Sequence, residues 1–256
     1  MQPHELWFTS LLNRLFGGPV LSLLHGLGMK PESAAHPIPD YVAMQIVVAL
    51  VLMGLFAWLR WRLSVDRPGK VQQVMELVVE GLGDQSEEII GHEGRKFLPF
   101  LFTLAIFIFL CNVLGLIPGF ETPTGIYVEQ APFKLVGIYV TVGCALAAFV
   151  YYNYSGIRHH GLLSYARTFL GPVLVMAPLM FLIEVVSHSA RVLSLSVRLF
   201  ANMMAGHQIT LIFASLLPLG VPVVFEGLHI FVAALQAFIF VVLTMVYLAG
   251  AVAEEH

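Results

Sequence analysis

Four stretches within the first 217 residues of this chain are apolar for longer than a water-soluble helix or strand requires. Tyr41–Leu59, Phe97–Ile117 and Leu135–Tyr152 are each close to membrane length, and Pro172–Leu217 runs for 46 mainly apolar residues. A hydrocarbon core about 30 Å thick is crossed by about 20 helical residues. Backbone in lipid must satisfy its own hydrogen bonds, so such runs are helices. Composition agrees: 58% of the 256 residues are hydrophobic and 11% are charged, against roughly 25% charged in a soluble domain. The expected fold is an all-α integral membrane protein, one membrane domain over residues 1–256.

The longest run is the most informative. As a helix it would extend about 69 Å, over twice the thickness of the hydrocarbon core. Either it breaks near Arg191–Arg198 into two short spans, or it is one helix tilted by about 60° or more, against a usual mean of about 20°. Arg, Leu, Met and Ala favour helix and no breaker lies near the arginines, which favours the tilted helix. Pro218, Gly220 and Pro222 then form a turn, and Val223–Val252 returns. Residues 169–256 are thus read as a long tilted hairpin, giving about five crossings with 41–59 and with the two spans inside 97–153.

Residues 66–96 are polar, yet Val71, Val74, Met75, Val78 and Leu82 share a helical face, and Asp66 before Pro68 is a start signal. An amphipathic surface helix is expected, with Glu76, Glu80, Glu87 and Glu88 as its solvated side. In residues 1–40, Trp7, Phe8, Leu11, Leu12 and Phe16 suit a short interfacial helix, and an unordered tail fits nearly as well. The start lacks the basic and apolar pattern of a signal peptide.

Positive charge orients the spans. Arg60, Arg62, Arg67, Lys70, Arg95 and Lys96 follow the first span, and Arg158 and Arg167 follow the third, whereas the other side offers Arg14, Lys30 and Lys134. The N-terminus is expected outside and the C-terminus in the cytoplasm, with the amphipathic helix on the cytoplasmic side. A net charge of −3 gives no support to nucleic-acid binding. Pro68-Gly69-Lys70-Val71 lacks the upstream glycine and the hydroxyl of a phosphate-binding loop, so no ATP site is expected. Cys111 and Cys144 lie in apolar runs and read as buried small hydrophobes, with no metal or cofactor implied.

Only four formal charges fall inside apolar segments: Glu184, Arg191, Arg198 and Glu226. A charge at mid-bilayer costs about 2.5–3.5 kcal/mol on insertion scales, so each is a functional hypothesis. Glu184, Arg191 and Arg198 are seven apart and fall within about 40° of one line, with His188, Ser194 and Asn202 on or near it. His207 is on the opposite side, about 180° from Arg198. On the last helix Glu226, His229 and Gln236 recur at +3 and +7, with Thr244 and Tyr247 further along. Arg198 stays protonated and cannot relay protons, so its charge needs a partner. That leaves Glu226 across the hairpin or a carboxylate from another subunit, and the latter is favoured. His188 alone reads better as a satisfied helix–helix hydrogen bond, and Glu184 with Arg191 as either a bridged pair or transport groups. For Glu226, His229 and His207 together transport is favoured, since buried carboxylates and neutral imidazoles exchange protons near neutral pH.

Three segments carry a family resemblance: Leu193-Ser-Leu-Ser-Val-Arg198-Leu-Phe-Ala-Asn202-Met-Met-Ala-Gly-His207; His229 through Gln236 to Tyr247; and, more weakly, Asn112–Pro118. They resemble the a-subunit family of F-type ATP synthases, the stator of a rotary membrane motor. The resemblance implies that Arg198 stands at the essential arginine facing rotor carboxylates and Gln236 at the glutamine beside it. His207 and His229 stand where the family places an interacting acid and histidine. Glu184, Ser187, Arg191 and Asn202 stand at polar positions of the aqueous paths, and His188 is grouped with them. Both paired positions are histidine here, and Glu226, one turn before His229, is the candidate for the missing acid. Glu121–Lys134 lengthens the loop after the weaker motif. The family further implies a non-catalytic proton-channel subunit coupling a gradient to ATP synthesis. Its partners would be a ring of small hydrophobic hairpin subunits, a peripheral-stalk subunit and the lipid of a bacterial inner membrane. The implied ion is H⁺, with Na⁺ open because the binding carboxylate would belong to the rotor. Two other readings compete. A stand-alone transporter would be expected to show an internal repeat, and none is visible. A purely structural anchor leaves the polar stripes unexplained.

Overall fold

A computed structural model describes residues 7–26, 37–64, 67–114, 138–168, 176–216 and 220–253. These residues form eight α-helices: α1 (Trp7–Gly26), α2 (Asp40–Arg62), α3 (Lys70–Ile90), α4 (Leu98–Leu114), α5 (Ile138–His160), α6 (Leu162–Thr168), α7 (Ala177–Leu216) and α8 (Val221–Val252). Five of the helices described are long and apolar enough to cross a membrane: α2, α4, α5, α7 and α8. The all-α membrane fold expected from the apolar runs is the fold observed.

The hairpin matches the single-helix reading. α7 is unbroken for 40 residues, passing through Arg191 and Arg198 without a kink-forming residue between them. At 1.5 Å per residue it is about 60 Å long, so only an inclination of about 60° would keep its whole length in a 30-Å core. Gly220 adopts φ +86° at the start of α8, a left-handed conformation that a side chain would strain. Asp66, residues 119–134 and Pro218, to which the sequence assigned a helix start, a lengthened loop and a turn, lie outside the described residues.

Three elements differ from expectation. α5 continues eight residues past Tyr152 because its polar residues bond to their own helix: Asn153 Nδ2 donates to Phe149 O (2.7 Å) and Ser155 Oγ to Tyr151 O (2.8 Å). Arg158, His159 and His160 then face the negative end of the helix dipole. α1 contains Trp7, Phe8, Leu11, Leu12 and Phe16, as expected of a helix there, but is longer than a short one and runs to Gly26. A reciprocal amide pair docks it, Asn13 Nδ2 to Ile38 O (3.0 Å) and Ile38 N to Asn13 Oδ1 (2.9 Å). In α3 the apolar face divides: Leu82 is buried and Val78 packs beside it, while Val71 and Val74 stay exposed. Past its end, Arg95 pairs with Glu87 (2.7 Å) and Asp84 (3.2 Å) and Lys96 with Glu93, holding the short 3₁₀ turn Gly94–Phe97 that leads into α4. Lys96 also keeps the Glu93 carboxyl below its ordinary range.

α8 is the centre of the bundle, packing on α3, α4, α5 and α7. Its inner side contributes Ala237, Phe240, Val241, Met245 and Leu248 to two adjoining cores. α7 lies to one side, against α5 and α8. Leu195, Leu199 and Met203, spaced one turn apart, form its buried line, while Leu193, Val197 and Met204 are exposed. One face of α7 is thus left open.

Candidate functional site: the polar faces of the final hairpin

The polar stripe of α7 is divided by what packs against it. Near its start, His188 is buried: its Nδ1 lies 2.7 Å from the hydroxyl of Tyr152 on α5, and its Nε2 lies 3.1 Å from Glu184 Oε1 one turn earlier. Ser187 is half-buried beside it. The Arg191 guanidinium sits 5.0 Å from the centroid of the Tyr247 ring of α8, a cation–π contact. The helix–helix hydrogen bond expected of His188 is therefore present. Of the bridged pair proposed for Glu184 and Arg191, the Glu184–His188 contact is made, and the Arg191 guanidinium lies over the Tyr247 ring. Tyr165 of α6 lies nearby, donating to Asn153 Oδ1 (2.9 Å), and burial raises its phenol above the ordinary value.

Further along, the stripe turns outward. Ser194 and Arg198 are exposed. Among the described residues Arg198 makes no ion pair, and the Arg198–Glu226 pair considered from sequence is not formed. One turn beyond, Asn202 turns back to the bundle and donates to Asn112 Oδ1 of α4 (3.2 Å). The amide of Asn112 in turn donates to Ile108 O (2.8 Å).

On α8 the stripe runs from half-open to buried. Glu226 and His229 are half-buried, while Gln236 is buried with an Nε2 that has no hydrogen-bond partner among the described residues. The His229 ring rests on the backbone of α7 at Gly206, where a Cβ would collide with it. This contact brings His229 to the turn of α7 that also carries His207.

Two participants were not picked out by sequence reasoning. In the sequence Tyr152 marks only the end of an apolar span, and Asn112 only part of a motif. A polar group inside an apolar run is the sole sequence signal for either, and it does not say which helix lies opposite.

Fold and site together define a multi-pass helical membrane protein whose intramembrane ionisable groups gather on one long hairpin. Residues 42–249 match the family described as ATP synthase A chain. The chain is 52% identical over 230 residues to ATP synthase subunit a of Solibacter usitatus, covering 90% of this chain and 93% of that protein. It is 45% identical over 254 residues to the subunit a of Koribacter versatilis and 38% over 253 residues to that of Trichlorobacter lovleyi, covering 99% of both chains in each case. The chain belongs to the ATP synthase A chain family.

Proposed function

We propose that this chain translocates protons through two half-channels at an interface with a rotor ring of small hydrophobic subunits, coupling a proton gradient to ATP synthesis without a catalytic site of its own. The observation that carries the reading is Arg198, a permanent cation exposed on a membrane-length helix with no acid partner among the described residues. Its insertion cost calls for a counter-charge, and a passing rotor carboxylate would supply one. Unit charges about 4 Å apart at an effective dielectric near 20 attract by about 4 kcal/mol before desolvation, enough to favour the ionised carboxylate.

The two polar groupings on either side of Arg198 suit separate paths. Glu184 lies 14 residues before it, about 21 Å along the axis, beside Ser187, His188 and Arg191; Gly206, against which His229 packs, lies eight residues after it, about 12 Å. A rotor carboxylate meeting Arg198 would release its proton to one path and, after rotation, be reprotonated from the other. The fixed cation between them opposes a direct leak. Asn202 and Gln236 flank the crossing point, and His207, Glu226 and His229 belong to the outer path. The charge bias of the loops supports an outside N-terminus and a cytoplasmic C-terminus in a bacterial inner membrane, with the Glu184 end cytoplasmic. A peripheral-stalk subunit would hold the chain against rotation.

The test is ATP-driven proton pumping in membrane vesicles carrying the assembled complex. Arg198→Ala is expected to abolish pumping with assembly intact, and near-normal pumping would overturn the reading.

A further inference from the structure

We infer that Tyr152 is a positioning residue of the cytoplasmic half-path, acting through His188 to set the orientation and proton exchange of Glu184. The inference rests on the reading of Glu184 as a path residue and adds a side chain from a different helix to it.

The hydrogen bonds run in one line, from Tyr152 Oη to His188 Nδ1 (2.7 Å) and from His188 Nε2 to Glu184 Oε1 (3.1 Å). An ionised carboxylate only accepts, so Nε2 must carry a proton toward it. A neutral imidazole then has only the Nδ1 lone pair left, and the Tyr152 hydroxyl donates to it. Tyr152 therefore selects the tautomer that serves Glu184, as a partner on the far ring nitrogen does in other histidine sites. The line leads from the core to the surface: Tyr152 is 2% exposed, while Glu184 keeps 38% of its side-chain surface open. Its inner end is thus held by packing, and its outer end remains free to exchange a proton.

The ring itself is fixed from two sides. Tyr152 stacks on it at 5.6 Å between centroids and Phe149 meets it edge-on at 5.9 Å. Among the described residues, the other charged or titratable groups facing the line are Arg191 of α7, Tyr165 of α6 and Tyr247 of α8, and Arg191 is held over the Tyr247 ring. Without the Tyr152 hydroxyl, Nδ1 competes for the imidazole proton and Nε2 is no longer committed to Glu184.

The test uses the assembled complex in vesicles. Tyr152→Phe keeps the ring and removes the hydroxyl, and losing one hydrogen bond of ordinary strength corresponds to about a two- to tenfold change. Initial pumping rate is expected to fall by about that factor with an altered pH profile. His188→Gln should do the same, and the double variant should be no worse than His188→Gln alone. In a Glu184→Gln background, Tyr152→Phe should add nothing. An unchanged pH profile for Tyr152→Phe, or additive losses in either double variant, would overturn the inference. If Arg198→Ala still abolishes pumping, those outcomes remove Tyr152 from the path and leave the proposed function standing.

Discussion

The imidazole of His229 occupies the space that a side chain at residue 206 would need, so Gly206 is where α7 and α8 approach with a ring laid directly on backbone. Histidine and glycine at these positions form one packing unit, and neither residue alone explains the other.

Gly206→Ala separates two opposed effects. Helix propensity favours alanine by up to about 1 kcal/mol, whereas the collision with His229 forces a shift of the kind that costs about 1–3 kcal/mol. The variant is expected to lower the melting temperature of the subunit in nanodiscs, with His229→Ala in the same chain restoring most of the loss. A melting temperature raised by Gly206→Ala alone would mean that the ring does not rest there.

Gln236 buries an amide nitrogen with no partner among the described residues. An unsatisfied buried donor costs about 1–3 kcal/mol, so Gln236→Leu, of similar volume, should leave the isolated subunit as stable or about 1 kcal/mol more stable. Pumping by the assembled complex should fall. A clear loss of stability in the isolated subunit would assign the amide a structural partner instead.

The Asn202–Asn112 bond joins α7 to α4 across 90 residues of sequence. Hydrogen bonds between membrane helices average about 0.6 kcal/mol in double-mutant cycles. Asn202→Ala, Asn112→Ala and the double variant, compared by unfolding in mixed micelles, should yield a coupling energy near that value. A coupling of zero would mean the two amides are satisfied separately.

Glu226 is half-buried one turn before His229 and forms no ion pair with any described residue. Glu226→Gln is therefore expected to slow pumping at least several-fold while the complex assembles normally. Unchanged pumping would remove it from the outer path, and loss of assembly would make it a packing group.

Much of the fold was legible because the bilayer leaves a chain few choices. The spans of α2, α4, α7 and α8 follow from run length and from the rule that membrane-embedded backbone must bond to itself. The unbroken α7 followed from the absence of a breaker near Arg191–Arg198. The extension of α5 past Tyr152 was not legible, because Asn153 and Ser155 read as the end of an apolar run, yet their side chains bond within the helix. For α3 the pattern found one apolar face but not that the bundle covers only its later part.

For the site, sequence alone determined which residues are ionisable, that they cluster on the last two helices, and their angular spacing within each helix. It placed Glu184, Arg191 and Arg198 near one line, since 3.6 residues per turn sets relative angles along a helix. Only the tertiary structure decided that the line turns inward at His188 and outward at Arg198, that Tyr152 is the group opposite His188, and that Gly206 receives His229. The physical reason is that periodicity is local, whereas the direction a face looks is set by packing against helices tens of residues away. The covering of one face of α7 by α5 and α8 is what leaves Arg198 exposed.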